Sequence, residues 1–379
     1  MGKWTGKYVI GLTGNIGTGK SVVRKMLEHL GAYGIDADAL ARRVLEQGAP
    51  GYQPVVQTFG NYILDERGQI DRKRLGRLVF SDAAALQQLE QIVHPYVLQA
   101  VDLLVQRSSR QVIVVEAIKL LESNLKSWCD GIWVTYTKPE VQFARLAEKR
   151  KMDAADARQR IDAQPPQERK MAAAQVVIDN SGSLIETWKQ VTEAWQKMPV
   201  KDAVRSTQAT RPAPIGSALK AERATARHAA AIAALINRLG YPAAEVTPED
   251  ILAEFGEKAF LVLMLDGVVS GLIGWQVENL IARTTDLLID PKLPLKPSLT
   301  QLVTAMERAS NELLCEVSLI YVKRELAGEL AIWRELGYSQ RDSGSLGVLA
   351  WQEAASESRI PNTQLFFKQL RQDRILRPI

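Results

Sequence analysis

An apolar run leads directly into a glycine-rich loop close to the start of the chain. Residues 8–21 read Y-V-I-G-L-T-G-N-I-G-T-G-K-S, and Gly14, Gly19, Lys20 and Ser21 fill the pattern G-x-x-x-x-G-K-[ST]. Such a loop connects a buried strand to a helix, and its backbone N–H groups point at phosphate oxygens. An amphipathic run, Val22 to Leu30, follows it, so an incidental glycine-rich turn is disfavoured. The segment predicts an α/β fold that binds ATP or GTP.

The loop residues have separate predicted roles. Lys20 would reach the outer phosphates, and the Ser21 hydroxyl would ligate the Mg²⁺ that accompanies them. The helix that begins near Ser21 adds its positive N-terminal dipole to the same site. The predicted nucleotide-binding residues of the loop are Gly14, Asn15, Ile16, Gly17, Thr18, Gly19, Lys20 and Ser21.

Composition narrows the class of protein. The chain has 379 residues, which is enough for two or three domains, and 46% apolar with 24% charged residues is typical of globular proteins. The absence of a long apolar run or a signal-peptide pattern predicts a cytoplasmic protein without a membrane partner. The formal net charge of +5 is modest, and no basic block interleaved with aromatic residues predicts nucleic-acid binding. Neither the two cysteines nor the three histidines have metal-site spacing.

The chain divides where its composition changes. Up to about Met198, short β-rich runs alternate with helical runs, which predicts a parallel sheet covered by helices on both faces. Prolines and small residues then interrupt the pattern, as in a linker. The predicted domains are 1–198 and 221–379, joined by a linker over 199–220. In the first domain the predicted strands are Tyr8–Leu12, the stretch entering Asp36, Gln111–Glu116 and Gly131–Thr135. The predicted helices are Val22–Leu30, Ala39–Glu46, Ala83–Gln106, Pro139–Lys149 and Ala154–Ala163.

Two carboxylates follow the second predicted strand of the first domain. Asp36 and Asp38 lie where an open parallel sheet forms its ligand crevice, at the carboxyl ends of the strands. A kinase needs a carboxylate there to orient an alcohol and accept its proton. Asp38 would alternatively cap a helix that begins at Ala39. The residues alone leave both roles open.

Short matches along residues 1–198 occur in a recognisable order. They include G-L-T-G-N-I-G-T-G-K-S at 11–21, I-D-A-D at 35–38, L-E-Q-I-V-H-P at 89–95, Q-F-A-R-L at 142–146 and V-I-D-N-S-G at 177–182. Together they resemble the dephospho-coenzyme A kinases. The resemblance implies a P-loop kinase with a parallel β-sheet flanked by helices and a helical lid. It also implies transfer of the ATP γ-phosphoryl group to the ribose 3′-hydroxyl of dephospho-CoA, the last step of CoA biosynthesis.

The resemblance implies roles for individual residues. Asp38 would be the base and Arg145, with Lys20, would neutralise charge on the transferring group. Residues 149–164 would form the lid, and Asn180 would lie near the adenine of ATP. Asp36, Asp38, His94 and Lys119 are the residues predicted to bind dephospho-CoA, with ATP and Mg²⁺ as cofactors.

Several positions depart from the family pattern. Asn15 replaces a usual glycine, a change we expect the loop to tolerate because asparagine adopts left-handed backbone readily. Lys119 lies in an altered run, E-A-I-K-L-L-E, where it would contact an acceptor phosphate or pair with Glu116 or Glu122. His94 is expected at the junction of two helical stretches, either bound to the acceptor ribose or a carboxylate, or satisfied by a backbone carbonyl. At the second lid arginine of the family the chain has Lys149, followed by Arg150.

The second domain has a different pattern. A helical run within 222–239 precedes two β-runs joined at Asp266-Gly267, and a helix over Ser298–Leu314 leads into a strand over Val317–Val322. With A-I-W-R-E-L-G-Y at 331–338 as its closing helix, this order resembles the GNAT-type acetyltransferases and implies an α+β fold. The segment 291–300 has three prolines and no glycine, which makes it a poor phosphate-binding loop. The domain is therefore a working acetyltransferase, a CoA-sensing module or a structural appendage, with CoA or acetyl-CoA as the partner considered.

Two other functions compete with dephospho-CoA kinase activity. One is a P-loop kinase for another nucleotide or metabolite alcohol, because the substrate-side run is altered. The other is an ATP-binding regulatory protein with a CoA-sensing C-terminal domain. The intact set Lys20, Ser21, Asp38 and Arg145 argues against a decayed kinase site.

Overall fold

The computed structural model describes residues 3–149, 153–200, 219–239, 244–278 and 280–372. Most of the predicted linker 199–220, and Arg150, lie outside the described residues. The described residues form two compact units, one of residues 3–20 and 32–181 and the other of residues 21–31 and 182–372.

The first unit is built on a five-stranded parallel sheet. Its strands are β1 (Tyr8–Thr13), β2 (Tyr33–Asp36), β3 (Val112–Glu116), β4 (Gly131–Tyr136) and β5 (Val176–Asp179). Helix α1 (Lys20–His29) follows β1. The helices of the first unit are α2 (Ala37–Val44), α3 (Tyr52–Phe59), α4 (Arg72–Ser81), α5 (Ala83–Arg107), α6 (Pro139–Ala144), α7 (Ala154–Asp162) and α8 (Gln167–Ala172). A π-helical turn covers Arg145–Lys149.

The strand order β2-β3-β1-β4-β5 places β1 at the centre of the sheet. All pairs are parallel, and every residue of β3 is buried, as expected for strands covered on both faces. The carboxyl ends of the five strands therefore meet at one edge, which is where the loop after β1 and Asp36 lie. The predicted parallel α/β fold is confirmed.

The second unit contains a seven-stranded sheet of order β11-β12-β10-β9-β8-β7-β6. The strands are β6 (Lys220–Arg223), β7 (Ala259–Leu265), β8 (Val268–Glu278), β9 (Ile281–Ile289), β10 (Val317–Lys323), β11 (Ser339–Gln340) and β12 (Thr363–Gln369). The helices after α1 are α9 (Leu184–Gln196), α10 (Ala229–Leu239), α11 (Pro248–Glu254), α12 (Leu295–Glu312), α13 (Arg324–Ala327), α14 (Leu330–Glu335) and α15 (Leu349–Glu357).

This sheet is antiparallel except where β9 pairs with β10. Leu299, Leu302 and Met306 of α12 are fully buried in its main core, together with Trp275 and Trp333. The predicted hairpin is confirmed, because Asp266 and Gly267 both have positive φ, 49° and 81°, as a type I′ turn requires. The predicted α+β class is confirmed as well.

The stretch 222–239 has the predicted helix, α10, after a short extended start that belongs to strand β6. Two other element predictions in the second unit are wrong in detail. Helix α12 begins at Leu295, three residues before the predicted start, because Pro294 is its N-cap and Pro297 lies in a first turn whose N–H groups need no helical acceptor. Residues 331–338 do not close the domain, since β12 follows later in the chain and lies between β10 and β11.

Helix α1 belongs to the second unit through its outer face. Lys25 Nζ donates to the carbonyl of Val277 (3.2 Å), and Arg223 Nη2 donates to the carbonyl of Glu28 (2.9 Å). The His29 ring packs edge-on against Phe255, with ring centroids 4.9 Å apart. Burial, and next the charge of Arg223, lower the pKa of His29 to about 3.

Acidification is expected to destabilise this packing. His29 has a pKa of about 3 in the folded chain against 6.5 when unfolded, so the unfolded state binds more protons between these values and stability falls as the pH drops below 6.5. The expected loss from this residue is about 2 kcal/mol at pH 5 relative to pH 8. Urea unfolding across this range measures it.

The matched control for this prediction is the exposed His94. His29→Gln should flatten the pH dependence of the free energy of unfolding between pH 5 and 7, whereas His94→Gln should leave the wild-type slope. An unchanged slope in His29→Gln would show that another group titrates there.

Candidate functional site

The phosphate loop lies between β1 and α1 and needs its glycines for close packing. Gly17 and Gly19 have φ of 78° and 87°, a region that glycine adopts readily. A Cβ atom at Gly19 would lie 2.0 Å from Asn180 Nδ2, and one at Gly14 would lie 2.3 Å from Thr135 Oγ1. The ends of β4 and β5 thus leave no room for a side chain at these two positions.

Hydrogen bonds hold the loop in its curled form. The Thr18 hydroxyl donates to the carbonyl of Asn15 (2.8 Å) and lies 2.7 Å from the Thr135 hydroxyl. Lys20 Nζ donates to the same Asn15 carbonyl (3.2 Å), and Asn180 Nδ2 donates to the carbonyl of Thr18 (3.0 Å). Asn180 is buried at the end of β5, so its side chain fixes the loop from the neighbouring strand.

Asn15 is accommodated for a reason other than the predicted one. Its φ is not positive, so tolerance of left-handed backbone is not what allows asparagine there. Instead Asn15 Nδ2 donates to the carbonyl of Pro165 (2.8 Å), and the N–H of Ile16 donates to Gln164 Oε1 (2.7 Å). The end of the predicted lid segment therefore contacts the loop directly.

The helix that follows β2 is capped by Asp36 and not by Asp38. Asp36 is the N-cap of α2, since its Oδ1 accepts from the N–H of Ala39 (2.8 Å). The alternative that Asp38 caps a helix beginning at Ala39 is wrong, because the helix already starts at Ala37. Asp38 Oδ2 instead accepts from the N–H of Ile118 (3.2 Å).

The surroundings of Asp38 suit a proton acceptor. Burial, and next the charge of Asp36, raise the pKa of the Asp38 carboxyl. The Ile118 N–H and the ammonium of Lys20 act in the opposite direction. A carboxylate whose pKa is raised above its usual range is a stronger base than an exposed aspartate.

Arg145 lies beside the phosphate loop at the end of α6. Its Nη2 donates to the carbonyl of Asn180 (2.7 Å), and its Nη1 donates to the hydroxyl of Thr137 (3.2 Å). Nη1 is 3.9 Å from the position of a Cβ built on Gly19. A guanidinium fixed by two acceptors next to the loop can contact phosphoryl oxygens without reorganising.

Two of the predicted substrate residues lie on the surface. His94 is exposed within α5, and the prediction of a helix junction there is wrong because α5 continues through Pro95. Lys119 forms an ion pair with Glu90 of α5, so both predicted partners, Glu116 and Glu122, are wrong. An exposed pair of this kind contributes little to stability.

Lys170 of α8 is a site residue that sequence reasoning missed. Its side chain is buried, with 3% of the residue exposed, and its Nζ donates to the carbonyl of Ile118 (2.8 Å). The same peptide group of Ile118 binds Asp38 through its N–H. Helix α8 has six residues, too few for periodicity to mark a lysine that points inward.

A magnesium site of the usual kinase type fits these residues. No three His, Cys, Asp or Glu side chains are grouped to hold a metal in the part of the chain that the structure describes. Mg²⁺ bound with phosphates and water needs only one or two protein ligands. The Ser21 hydroxyl and one carboxylate at the edge of the sheet would supply them, and the mutual repulsion of Asp36 and Asp38 favours a cation there.

None of the described helices has the length and apolar character to cross a membrane.

The family model for dephospho-CoA kinase matches residues 8–186. The dephospho-CoA kinase of Carboxydothermus hydrogenoformans is 43% identical over 197 residues, which is 51% of this chain and 96% of that protein. That of Aquifex aeolicus is 43% identical over 190 residues, covering 50% and 96%.

Two solved structures are similar to parts of this chain. TT1252 from Thermus thermophilus has 30% identity and a TM-score of 0.46 over 50% of this chain and 96% of its own. The PaiA N-acetyltransferase from Thermoplasma acidophilum, solved with coenzyme A, has 13% identity and a TM-score of 0.32 over 40% of this chain and 99% of its own. Since its relatives align over nearly their whole length, the chain belongs to the dephospho-CoA kinase family, whose members phosphorylate dephospho-CoA with ATP in CoA biosynthesis.

Proposed function

We propose that phosphoryl transfer to dephospho-CoA takes place at the carboxyl edge of the five-stranded sheet. The observation that carries this proposal is the hydrogen bond from Ile118 N–H to Asp38, which holds a carboxylate of raised pKa within electrostatic range of Lys20. The backbone of residues 14–21 would bind the ATP phosphates, and Asp38 would face the ribose 3′-hydroxyl. The site-residue roles that follow are part of this proposal.

In the proposed reaction Asp38 accepts the proton of the 3′-hydroxyl. The ribose oxygen forms a bond to the γ-phosphorus, and the bond from that phosphorus to ADP breaks. Lys20 and Arg145 neutralise charge on the transferring group, which is the main task of a protein in phosphoryl transfer. Mg²⁺, held by Ser21 and a carboxylate, would neutralise the β- and γ-phosphate oxygens.

The remaining predicted residues bind or position the substrates in this proposal. Asn180 holds the loop through Thr18 and lies near the adenine. Asp36 fixes the start of α2 and thereby places Asp38. His94, exposed within α5, would contact the acceptor ribose, and Lys119, paired with Glu90 of the same helix, would contact an acceptor phosphate. The free cysteines Cys129 and Cys315 are consistent with a reducing cytoplasmic location.

A coupled ADP-release assay tests the proposed acceptor. We expect turnover with dephospho-CoA and none with adenosine or pantetheine phosphate, because only dephospho-CoA contains both the adenosine ribose and the pantetheine phosphate part. Turnover with a different acceptor alone would indicate a kinase for another alcohol. ATP binding without turnover on any acceptor would favour a regulatory role.

We also propose that residues 221–379 form a separate domain that binds CoA or acetyl-CoA, joined through 199–220 to a kinase domain of residues 1–198. Strands β9 and β10 pair only over Ile281–Thr284 and Val317–Ile320. Beyond this point β9 continues beside β8 and β10 beside β12, so the sheet parts between them. This opening is where a pantetheine arm would lie.

Calorimetry on the full chain tests the second site. If the opening binds acetyl-CoA, the titration should show a binding event that saturating ATP at the kinase site does not remove. Lys292 and Lys296 flank Pro294 at the start of α12, and replacing both with glutamate should weaken that event. A titration in which ATP abolishes all binding would leave this domain a structural appendage.

A further inference from the structure

Lys170 is a buried lysine whose ammonium group has little to compensate its charge. It is almost completely buried on α8, yet among the described contacts its ammonium group makes one hydrogen bond, to the carbonyl of Ile118 at 2.8 Å. That carbonyl also accepts from the hydroxyl of Thr13 (3.1 Å). Burying an ammonium is costly unless it is paired, so the position of Lys170 calls for an explanation.

The charges around Lys170 are those of the phosphate site. Burial is the main cause of its lowered pKa; Glu122 and Asp38 oppose the shift, and Lys20 adds to it. Two ammonium groups held within electrostatic range of each other repel. A polyanionic group bound between them would offset both this repulsion and the burial, since hydrogen bonds to phosphate oxygens are among the strong ones.

We propose that Lys170 is a further catalytic residue, whose ammonium contacts the phosphoryl group as it passes from ATP to the ribose hydroxyl. This rests on the proposed site, in which Asp38 takes the hydroxyl proton. Lys170 transfers no proton in this step. It donates hydrogen bonds to phosphoryl oxygens from helix α8. Ile118 holds the base through its N–H and this cation through its carbonyl.

Three substitutions in the full-length protein test this role. Lys170→Gln keeps an N–H donor for the Ile118 carbonyl and removes the charge, so it should fold and lose about 10²- to 10³-fold in kcat, the cost of removing one donor to a transition-state oxyanion. Lys170→Met should lose at least as much. Lys170→Arg keeps the charge and should recover part of kcat. The exposed Lys126 gives the control, because Lys126→Met should keep the wild-type kcat.

The pH dependence of kcat separates a direct role from a positioning role. Because Asp38 and Lys170 interact electrostatically, the acidic limb that reports Asp38 moves in Lys170→Gln in either case. If Lys170 contacts the phosphoryl group, the plateau of kcat above that limb should also fall. If Lys170 acts only on Asp38, the plateau should return to the wild-type value once Asp38 is ionised, and the assignment as a catalytic residue is overturned.

The assignment also fails if Lys170→Gln keeps the wild-type kcat, or if kcat in all three variants falls only with the folded fraction seen by circular dichroism. Failure of the proposed function looks different, since the wild-type protein itself would then not phosphorylate dephospho-CoA.

Discussion

Asp38→Asn is expected to lower kcat for dephospho-CoA by about 10²- to 10⁴-fold, the usual contribution of general acid–base catalysis. Asparagine has the shape of aspartate and keeps an oxygen that can accept from Ile118 N–H, as Asp38 does at 3.2 Å. It has no basic group to take the proton of the 3′-hydroxyl. Affinity for ATP should therefore stay nearly unchanged. Steady-state rates and ATP titration by calorimetry measure the two effects.

Asp71 provides the matched control for Asp38→Asn. It is a half-buried N-cap aspartate of α4, whose Oδ1 accepts from the N–H of Lys73 (2.8 Å), and asparagine caps helices as well as aspartate. Asp71→Asn should keep both kcat and stability. Since Asp36 caps α2, wild-type turnover by Asp38→Asn would leave Asp38 with neither the catalytic nor the capping role.

Gly19→Ala is expected to abolish measurable ATP binding and, with it, turnover. A Cβ at this position would lie 2.0 Å from Asn180 Nδ2, and that amide is buried and bonded to Thr18. Either Asn180 or the loop has to move, and the inward N–H groups lose their alignment on the phosphates. The left-handed φ of 87° adds about 1–2 kcal/mol of strain for alanine.

Gly48 is the control that separates backbone strain at a positive φ from the steric clash of the new Cβ with Asn180. Its φ of 83° matches that of Gly19, but nothing lies within 4 Å of a Cβ built there. Gly48→Ala should therefore lower stability by about 1–2 kcal/mol and keep ATP affinity. Adding Asn180→Ala to Gly19→Ala removes the colliding amide and should recover part of the binding. If Gly19→Ala binds ATP as the wild type does, the loop is more adaptable than its packing indicates.

The parts of the site that sequence predicts are those encoded within a few adjacent residues. The loop chemistry of Gly14, Gly19 and Lys20 depends on backbone shape set by local glycines, so a single motif was sufficient. Asp38 followed from its place after a strand, because parallel strands share one carboxyl edge. Arg145 required the family resemblance, since no local pattern distinguishes it from an exposed helical arginine.

The features that sequence reasoning missed depend on contacts between segments far apart in the chain. Lys170 meets the peptide of Ile118, 52 residues away, and Lys119 pairs with Glu90 across 29 residues. The place of β12 beside β10 is set by which sheet edge remains to be paired, which its own seven residues do not encode. The start of α12 at Leu295 was missed for a local reason, since proline is tolerated in a first helical turn.

The outer face of α1 makes the C-terminal half more than an optional addition. Lys25, Glu28 and His29 meet Val277, Arg223 and Phe255, whereas relatives that align over 96% of their length match only about half of this chain. Cleaving this protein after Met198 would remove Phe255 and Arg223 from α1 and expose the His29 imidazole, which is buried in the full chain.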